Sequence, residues 1–485
     1  MACLALVIRI LHLNSTDIAG DETFSIFVAQ FNPTDIVAYL STGNNPPLFE
    51  LLLHFYIVCF GDSDFALRLL PSVFSAAAVI PIFLAGNSFF NRRVALMASV
   101  LLVFSIYQIR FAHEIRVYSF FTFVTAWSMY FFLSVVERPS SIKLWSALVF
   151  CNVILMYSHF TSFYVLFTEL VCGILFIPKN KWKFLIGALA LSSLFYLPYL
   201  LVFLSRLNDI TSSGTWVAPP GWGELYGSIN LMLNQRLTTA SIIAVIAFGL
   251  ILSRKIGALE IARQMLSERK ALTVIVWFVL PYTLMFLCSV LVVPMFIDRY
   301  ILYTSIPLFL CVSLVIDQVW KNTRLPFVGA VLVGCASITT TNLNPPNNRE
   351  VQSAVEFVRT KKTDSSTVYV CPDHYNLAFA FHYNRTWFNQ AARQEKNAFQ
   401  ELDELLRMNG IYPIRAKSQL QFEESNRVIY FDADSKFVLP QNDILATLNS
   451  KFNLTETAHF EQIFDVHIFD SVPESNTVNP TQTSE

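Results

Sequence analysis

The feature that most constrains this chain is a series of long apolar segments joined by short polar ones, which runs from the N-terminus to about Thr341. Hydrophobic residues make up 54% and charged residues only 14% of the 485 residues, whereas about a quarter of the residues in a soluble domain are charged. A helix needs about 20 apolar residues to cross a bilayer. The pattern therefore predicts an α-helical polytopic membrane protein and excludes a water-soluble globule.

About eleven segments are candidate transmembrane helices, with ends uncertain by several residues. They are residues 2–13, 67–89, 94–109, 119–135, 144–157, 162–177, 184–204, 238–252, 272–293, 301–316 and 327–340. The formal net charge of −1 gives no basic excess that would favour a nucleic-acid partner. The eight cysteines include no CxxC pair and define no disulfide framework.

The composition changes after residue 343, and residues 1–343 are predicted to form the membrane domain. Residues 344–472 are predicted to form a small soluble α/β domain, because short strand-like runs alternate there with amphipathic stretches. This domain has no glycine-rich phosphate loop, and acceptor recognition and a structural cap are both open as its role. The tail 473–485, rich in Thr, Ser, Asn and Pro, is predicted to be disordered.

Lysine and arginine in the short joints predict the orientation, because cytoplasmic loops collect these residues. The joints predicted to be cytoplasmic carry Arg92/Arg93, Arg138/Lys143, Lys179/Lys181/Lys183, Arg254/Lys255/Arg263/Arg269/Lys270 and Lys321/Arg324. The intervening joints hold only Arg68, Arg110/Arg116, Arg206/Arg236 and Arg299. These joints and the C-terminal domain are therefore predicted to be extracytoplasmic. Residues 46–61, too short for a span, must then form an interfacial helix in the first external loop.

The first apolar segment, residues 2–13, is also short and contains Arg9 and His12. Two explanations are open: the natural start lies upstream, or these side chains snorkel to the membrane surface. A cleaved signal peptide is disfavoured, because no small-residue cleavage site follows and an acidic pair, Asp21-Glu22, comes soon after.

The predicted external joints hold an unusual concentration of polar residues. They are Asp21-Glu22, Asn44-Asn45-Pro46-Pro47, His54, Asp62-Ser63-Asp64, residues 110–118, His159 and Asp298-Arg299-Tyr300. Ionisable groups at this depth are costly unless they are paired or functional, so the pattern predicts a membrane-embedded site. Structural explanations are also open. The acidic pair suits a first helical turn, arginines such as Arg116 and Arg299 can snorkel as interfacial anchors, and His54, His113 and His159 can be structural histidines.

Several of these segments resemble the GT-C membrane glycosyltransferases, in particular the family of protein O-mannosyltransferases, aminoarabinose transferases and RgtA/B/C/D-like bacterial enzymes. The matching segments are Asp21-Glu22, Asn45-Pro46-Pro47-Leu48-Phe49, residues 60–69, His113-Glu114-Ile115-Arg116-Val117-Tyr118 and Arg299-Tyr300. The resemblance covers most of residues 15–135 and is scattered thereafter. The chain departs from the family where Asn45 replaces the usual His of His-Pro-Pro, where His113 replaces Gln, and where Ala19-Gly20 stands in place of a Trp.

The resemblance implies an integral-membrane glycosyltransferase that moves a sugar from a polyprenyl-phosphate donor to a glycan, lipid or protein acceptor. It places the site and the C-terminal domain at the extracytoplasmic face of a bacterial inner membrane, where such enzymes glycosylate the cell envelope. A hydroxyl acceptor needs a base. The departing phosphate needs positive charge rather than an acid, and direct displacement would invert the anomeric carbon.

These demands give each candidate residue a role. Asp21 and Glu22 are catalytic, with Asp21 as the base; Arg116 and Arg299 bind the donor phosphate; Asn45, His113, Glu114, Tyr118, His159 and Tyr300 position the substrates. Glu22 and Glu114 would orient the acceptor, an arginine or a divalent ion. A divalent metal is therefore left open, and no metal ligand or other cofactor is assigned.

Two functions of other classes compete with this interpretation. A transporter or flippase of a lipid-linked or anionic substrate also needs embedded charges, but here the charges fall in loops and no pair of interrupted helices recurs in two halves. A scaffold or receptor that only anchors its C-terminal domain would not need about eleven spans. The glycosylation sequons at Asn14, Asn384 and Asn453 carry little weight for a bacterial protein.

Overall fold

The computed structural model describes residues 1–43, 45–253, 257–321, 323, 327–343, 346–421, 426–461 and 463–471. The predictions that involve Asn44, Arg254, Lys255, Arg324 and the tail 473–485 lie outside these residues. The chain divides into two compact units. The membrane unit comprises Met1–Asn14 and Pro33–Pro345, and the second unit comprises Ser15–Asn32 and Pro346–Glu485.

This division differs from the predicted one in the segment Ser15–Asn32, which carries the acidic pair and groups with the C-terminal unit. Aromatic packing explains the difference. The ring of Phe27 lies 5.0 Å from that of Phe388 and 4.9 Å from that of Phe399. Both partners come from the C-terminal part of the chain, more than 300 residues away in sequence.

The membrane unit is helical throughout the part of the chain that the structure describes. Its helices are α1 (Ala2–Ile10), α3 (Pro33–Leu40), α4 (Leu48–Phe60), α5 (Asp64–Ala77), α6 (Val79–Phe89), α7 (Arg92–Val103), α8 (Ile106–Ala112), α9 (Tyr118–Glu137), α10 (Ile142–Ser158), α11 (Ser162–Phe176), α12 (Trp182–Ser213), α13 (Trp222–Met232), α14 (Gln235–Ser253), α15 (Ala258–Ser267), α16 (Arg269–Leu291), α17 (Asp298–Ile301), α18 (Ser305–Trp320) and α19 (Val328–Thr340). Helix α2 (Asp21–Val28) belongs to the second unit.

Among the described residues, six helical segments are long and apolar enough to cross a membrane. They are Asp64–Phe89, Tyr118–Glu137, Lys179–Ser212, Gln235–Leu252, Arg269–Leu291 and Asp298–Trp320. The pair α7 and α8, bent by 55°, adds a seventh, and α4, α10, α11 and α19 are shorter apolar helices. Each predicted span therefore falls on a helix, and the polytopic helical fold is confirmed. The count of eleven stays a prediction, since α1 has only 9 residues.

One of the two explanations for the short first apolar segment was that Arg9 snorkels to the membrane surface. The structure shows that it does not. Its side chain is fully buried, and its guanidinium donates to Ser75 Oγ (2.7 Å) and to the carbonyl oxygens of Leu102 (3.1 Å) and Val103 (3.3 Å). These carbonyls end α7 at the break before α8, where the regular helical hydrogen bonds stop. The carbonyl of Leu102 also accepts a long hydrogen bond from the backbone N–H of Ser105 (3.5 Å). Arg9 therefore stabilises the break in the bent span.

We expect Arg9→Met to lower the melting temperature of the purified protein. The substitution keeps the length and apolar stem of the side chain but removes the donor of the Val103 carbonyl, at about 1–3 kcal/mol, and leaves the Leu102 carbonyl with the long bond from Ser105. Thermal unfolding in detergent, followed by loss of the monodisperse peak in size-exclusion chromatography, measures the effect. Arg92→Met, at an exposed arginine of α7, is the control. An unchanged melting temperature in Arg9→Met would show that the break does not depend on Arg9.

Buried polar contacts join the helices at two further places. Glu169 of α11 accepts hydrogen bonds from Ser128 of α9 and, at 2.6 Å, from Asn152 of α10. Asp317 of α18 accepts from Asn91 Nδ2 (2.8 Å) and pairs with Arg93 of α7 (2.8 Å). In a membrane these contacts fix which helices are neighbours, because apolar packing alone discriminates weakly between them.

The second unit contains a five-stranded sheet in the order β2-β1-β3-β5-β4. The strands are β1 (Ser366–Cys371), β2 (Ile411–Pro413), β3 (Arg427–Ala433), β4 (Phe452–Phe460) and β5 (Phe464–Ser471). Its remaining helices are α20 (Val351–Lys361), α21 (Asn376–Tyr383), α22 (Arg385–Ala392), α23 (Ala398–Met408), α24 (Ser435–Val438) and α25 (Ile444–Lys451). β1 pairs in parallel with β2 and β3, and β5 pairs antiparallel with β3 and β4. The predicted small α/β domain is confirmed.

Candidate functional site

In the membrane unit, Arg116 lies on the buried side of the loop between α8 and α9. Its side chain is 7% exposed, and its guanidinium lies 3.9 Å from a carboxylate oxygen of Glu50, which is 2% exposed. Glu50 lies in the first turn of the apolar helix α4. A buried arginine and carboxylate at this distance compensate each other, because an isolated charge of either sign would be costly there.

Three predicted positioning residues of this unit meet in one aromatic cluster. His159, which follows α10, has its ring centroid 4.9 Å from that of Tyr300 and 6.1 Å from that of Tyr118. The rings of Tyr118 and Tyr300 lie 6.3 Å apart. Arg116 and Arg299 both act on His159 electrostatically. The structure thus brings the two predicted phosphate-binding arginines to one aromatic cluster, although they are 183 positions apart in sequence.

Aromatic rings hold the second arginine, Arg299. Its guanidinium carbon lies 5.2 Å from the ring centroid of Trp216 and 6.0 Å from that of Tyr300. These distances are typical of cation–π contacts, which orient the planar guanidinium against the ring. A guanidinium oriented in this way presents a fixed set of N–H donors.

An apolar cavity of 590 Å³ begins at this cluster. His159 and Tyr300 line one part of it, and Tyr164, Phe203, Trp216 and Met295 are among the residues that line the rest. The predominantly apolar wall suits a hydrocarbon chain. Cavity and arginines together would suit a ligand with an apolar tail and an anionic head.

The other predicted residues of this unit have different surroundings. His113 Nε2 donates a hydrogen bond to the carbonyl oxygen of Arg9 (2.7 Å), the contact of a structural histidine. Glu114 is buried and Asn45 is half-buried.

The acidic pair begins helix α2 of the second unit, as the first-turn interpretation of Asp21-Glu22 predicts. The two carboxylates differ in their surroundings. Glu22 is 2% exposed, and its Oε2 atom accepts from a guanidinium N–H of Arg349 (2.8 Å) and from the backbone N–H of Ala19 (3.4 Å). Asp21 is exposed. The two carboxylates therefore differ in accessibility: Arg349 fixes that of Glu22, whereas solvent or a ligand can reach that of Asp21.

Asp21 lines a cavity of 440 Å³ in the second unit, which we call the Asp21 cavity. The other polar residues on its wall include Asp373, His374, Asp403 and Arg415. Burial is the main cause that lowers the pKa of His374 below its usual value. Burial likewise raises the pKa of Asp403, although the hydrogen bond from Asn376 opposes the rise. His374 is therefore an uncharged imidazole near pH 7.

Sequence reasoning missed several residues of these two regions. Glu50 had a usable signal, since a carboxylate inside an apolar helix is normally paired or functional. Arg349, Asp373 and Arg415 had no such signal in the sequence, because ordinary polar sequence surrounds them.

Within the described residues, no group of three or more His, Cys, Asp or Glu side chains is placed to hold a metal ion.

Comparisons with known proteins agree with this architecture. Residues 44–202 match the family model described as dolichyl-phosphate-mannose-protein mannosyltransferase. The apo crystal structure of ArnT from Cupriavidus metallidurans aligns with a TM-score of 0.60 at 11% identity, over 96% of each chain. The structure of that protein bound to undecaprenyl phosphate aligns with a TM-score of 0.56 at 11% identity, over 97% of each chain.

An archaeal structure has the same fold. The oligosaccharyltransferase AglB from Archaeoglobus fulgidus, in complex with an inhibitory peptide and a dolichol-phosphate, aligns with a TM-score of 0.54 at 11% identity, over 99% of this chain and 74% of that one. A search of curated proteins finds no match. The resemblance predicted from the sequence is confirmed, and the chain is an integral membrane protein of the GT-C fold class.

Proposed function

We propose that this protein is a membrane glycosyltransferase that transfers a sugar from a polyprenyl-phosphate donor to an acceptor hydroxyl. The observation that carries the proposal is the apolar cavity of the membrane unit, which begins at the aromatic cluster next to Arg116 and Arg299. A polyprenyl phosphate has the matching form, with a long hydrocarbon tail and an anionic head. The family match and the polyprenyl phosphates bound by ArnT and AglB support the same class of donor.

The membrane unit supplies the groups that bind the polyprenyl-phosphate sugar. The cavity takes the isoprenoid chain, and Arg116 and Arg299 donate charge-assisted hydrogen bonds to the phosphate. Negative charge accumulates on the phosphate oxygens as the bond to the anomeric carbon breaks. Arginines oriented before the reaction stabilise this charge without further rearrangement. His159, Tyr118 and Tyr300 hold the sugar or the phosphate at the end of the cavity.

The second unit supplies the base. Asp21 takes the proton of the acceptor hydroxyl as its oxygen attacks the anomeric carbon, and the polyprenyl phosphate leaves. A single displacement inverts the configuration of that carbon. Glu22, held by Arg349 at 2.8 Å, keeps the first turn of α2 in place and so positions Asp21. Asn45, His113 and Glu114 support the site by holding the residues around it in position.

Purified protein and a set of radiolabelled polyprenyl-phosphate sugars test the proposal. We expect at least one labelled donor to be consumed, with release of polyprenyl phosphate and movement of the label to an envelope acceptor. Mass spectrometry of envelope glycans from cells with and without the gene then identifies the product. A protein that moves the intact donor across vesicle membranes without cleaving it would be a transporter, and the proposal would be wrong.

We further propose that the site and the second unit face the extracytoplasmic side of a bacterial inner membrane. The distribution of lysine and arginine in the loops supports this orientation. Cysteines introduced singly at Ser63 and Ser140, both exposed, test it in a background whose native cysteines are replaced by serine. A membrane-impermeant maleimide should label Ser63→Cys in spheroplasts with an intact inner membrane and Ser140→Cys only after permeabilisation. Equal labelling of both before permeabilisation would overturn the orientation.

A further inference from the structure

The Asp21 cavity opens where open α/β sheets bind their ligands, at the carboxyl ends of parallel strands. Asp373 and His374 follow β1 after a single proline, and Arg415 comes two residues after β2. β1 and β2 are parallel neighbours in the sheet, so their carboxyl ends meet at the same edge and bring these side chains to one cavity.

The wall of the cavity combines fixed hydrogen-bonding groups with aromatic faces. Arg415 Nε donates to Asp373 Oδ1 (2.7 Å), and Asn376 Nδ2 donates to Asp403 Oδ1 (2.7 Å). Each of these contacts fixes one oxygen of a carboxylate and leaves the second oxygen to bind a ligand. Phe24 and Phe399, whose ring centroids lie 6.4 Å apart, supply the aromatic faces.

This combination is the chemistry that recognises a sugar ring. A pyranose has adjacent hydroxyl groups, which carboxylate and guanidinium groups bind in pairs, and a C–H face that packs on an aromatic ring. A peptide in extended conformation would instead need a line of backbone partners, such as the free edge of a sheet. The volume of 440 Å³ lies within the range of about 300–1,000 Å³ that small-ligand sites occupy.

The charge of the wall restricts the ligand further. The wall carries three carboxyl groups, those of Asp21, Asp373 and Asp403, and one guanidinium, that of Arg415. A phosphate or carboxylate on the ligand would be repelled there, because like charges in a partly enclosed cavity are weakly screened. A neutral sugar or an amino sugar meets no such repulsion.

We infer that the Asp21 cavity is the acceptor subsite, and that the acceptor is a glycan whose terminal sugar is neutral or carries an amine. The inference rests on the proposed function, and it gives the second unit a direct part in acceptor choice. The sugar packs on the ring faces of Phe24 and Phe399, and its hydroxyls bind Asp373, Arg415 and Asp403. One further hydroxyl reaches Asp21, which removes its proton in the transfer.

Binding of simple glycosides to the full-length purified protein, without donor, tests this subsite. The probes are the methyl glycosides of mannose, glucose, galactose, glucosamine and glucuronic acid, together with a hexapeptide that contains Ser and Thr. Saturation-transfer NMR should detect at least one neutral or amino glycoside, and neither the glucuronide nor the peptide. Arg415→Gln should raise the dissociation constant of that glycoside about 10- to 100-fold, the effect of losing a hydrogen bond to a charged group.

Lys417→Gln is the matched control. Lys417 also forms an exposed ion pair, with Asp443, close to Arg415 in sequence but outside the cavity wall. It should leave glycoside binding unchanged. The subsite is overturned if no neutral or amino glycoside binds, if the glucuronide or the peptide binds as well as they do, or if Arg415→Gln binds like the control. Failure of the proposed function is a separate result, namely a wild-type protein that consumes none of the labelled donors.

Discussion

Asp21→Asn should reduce sugar transfer about 10²- to 10⁴-fold, the usual contribution of a general base. Asparagine keeps the size of the side chain and one oxygen that can accept a hydrogen bond, but it cannot take the proton of the attacking hydroxyl. Donor affinity should stay near the wild-type value, because the groups that we propose hold the donor belong to the membrane unit. The measurement is the turnover number with a confirmed donor and acceptor, alongside donor binding by equilibrium dialysis.

Asp364→Asn is the control for this variant, since it removes an exposed carboxylate of the second unit that lies outside the Asp21 cavity. It should transfer sugar at the wild-type rate.

Glu22→Gln distinguishes the role of Glu22 from that of Asp21. It weakens the contact with Arg349 that holds the first turn of α2 but keeps the Asp21 carboxylate itself, so its loss of activity should accompany a loss of thermal stability. Near-normal turnover in Asp21→Asn would remove Asp21 as the base and favour Glu22 or Glu114.

The positions of the spans could be predicted from the sequence because membrane insertion depends on a local property, the length of an apolar segment. The surroundings of Arg9 could not. Its place near the end of a short helix suggested snorkelling, whereas the break between α7 and α8 provides carbonyl groups that bind it inside the protein. The carbonyl groups at that break belong to residues 93 and 94 positions after Arg9 in the chain.

The candidate site shows the same limit. Arg116, His159 and Tyr300 were predicted because charged and polar side chains stood out against apolar sequence, and the structure brings them to one cluster. The acidic pair could also be found from the sequence, but its grouping with the C-terminal unit could not, because the packing of Phe27 on Phe388 and Phe399 joins distant parts of the chain. The Asp21 cavity was missed for that reason. Its polar residues become distinctive only when the sheet brings them together.

Arg299→Ala should raise the dissociation constant of the polyprenyl-phosphate donor about 10- to 100-fold, because a hydrogen bond to a charged group is worth about 1.5–3 kcal/mol. Sugar transfer should fall by at least the same factor, since the phosphate is bound in the ground state and carries more charge in the transition state. Arg299→Lys should restore part of the affinity. It keeps the positive charge, but it lacks the planar fork that Trp216 and Tyr300 orient.

Arg116→Ala should have a similar effect on donor binding, together with a loss of stability, because it leaves Glu50 buried without the guanidinium 3.9 Å away. The double variant Arg116→Ala/Glu50→Gln removes that charge, so it should recover stability but not donor affinity. Arg236→Ala, at an exposed arginine predicted to face the same side of the membrane, is the control and should bind donor normally. If Arg299→Ala and the double variant both bind donor like this control, neither arginine holds the phosphate, and both are structural anchors of the aromatic cluster.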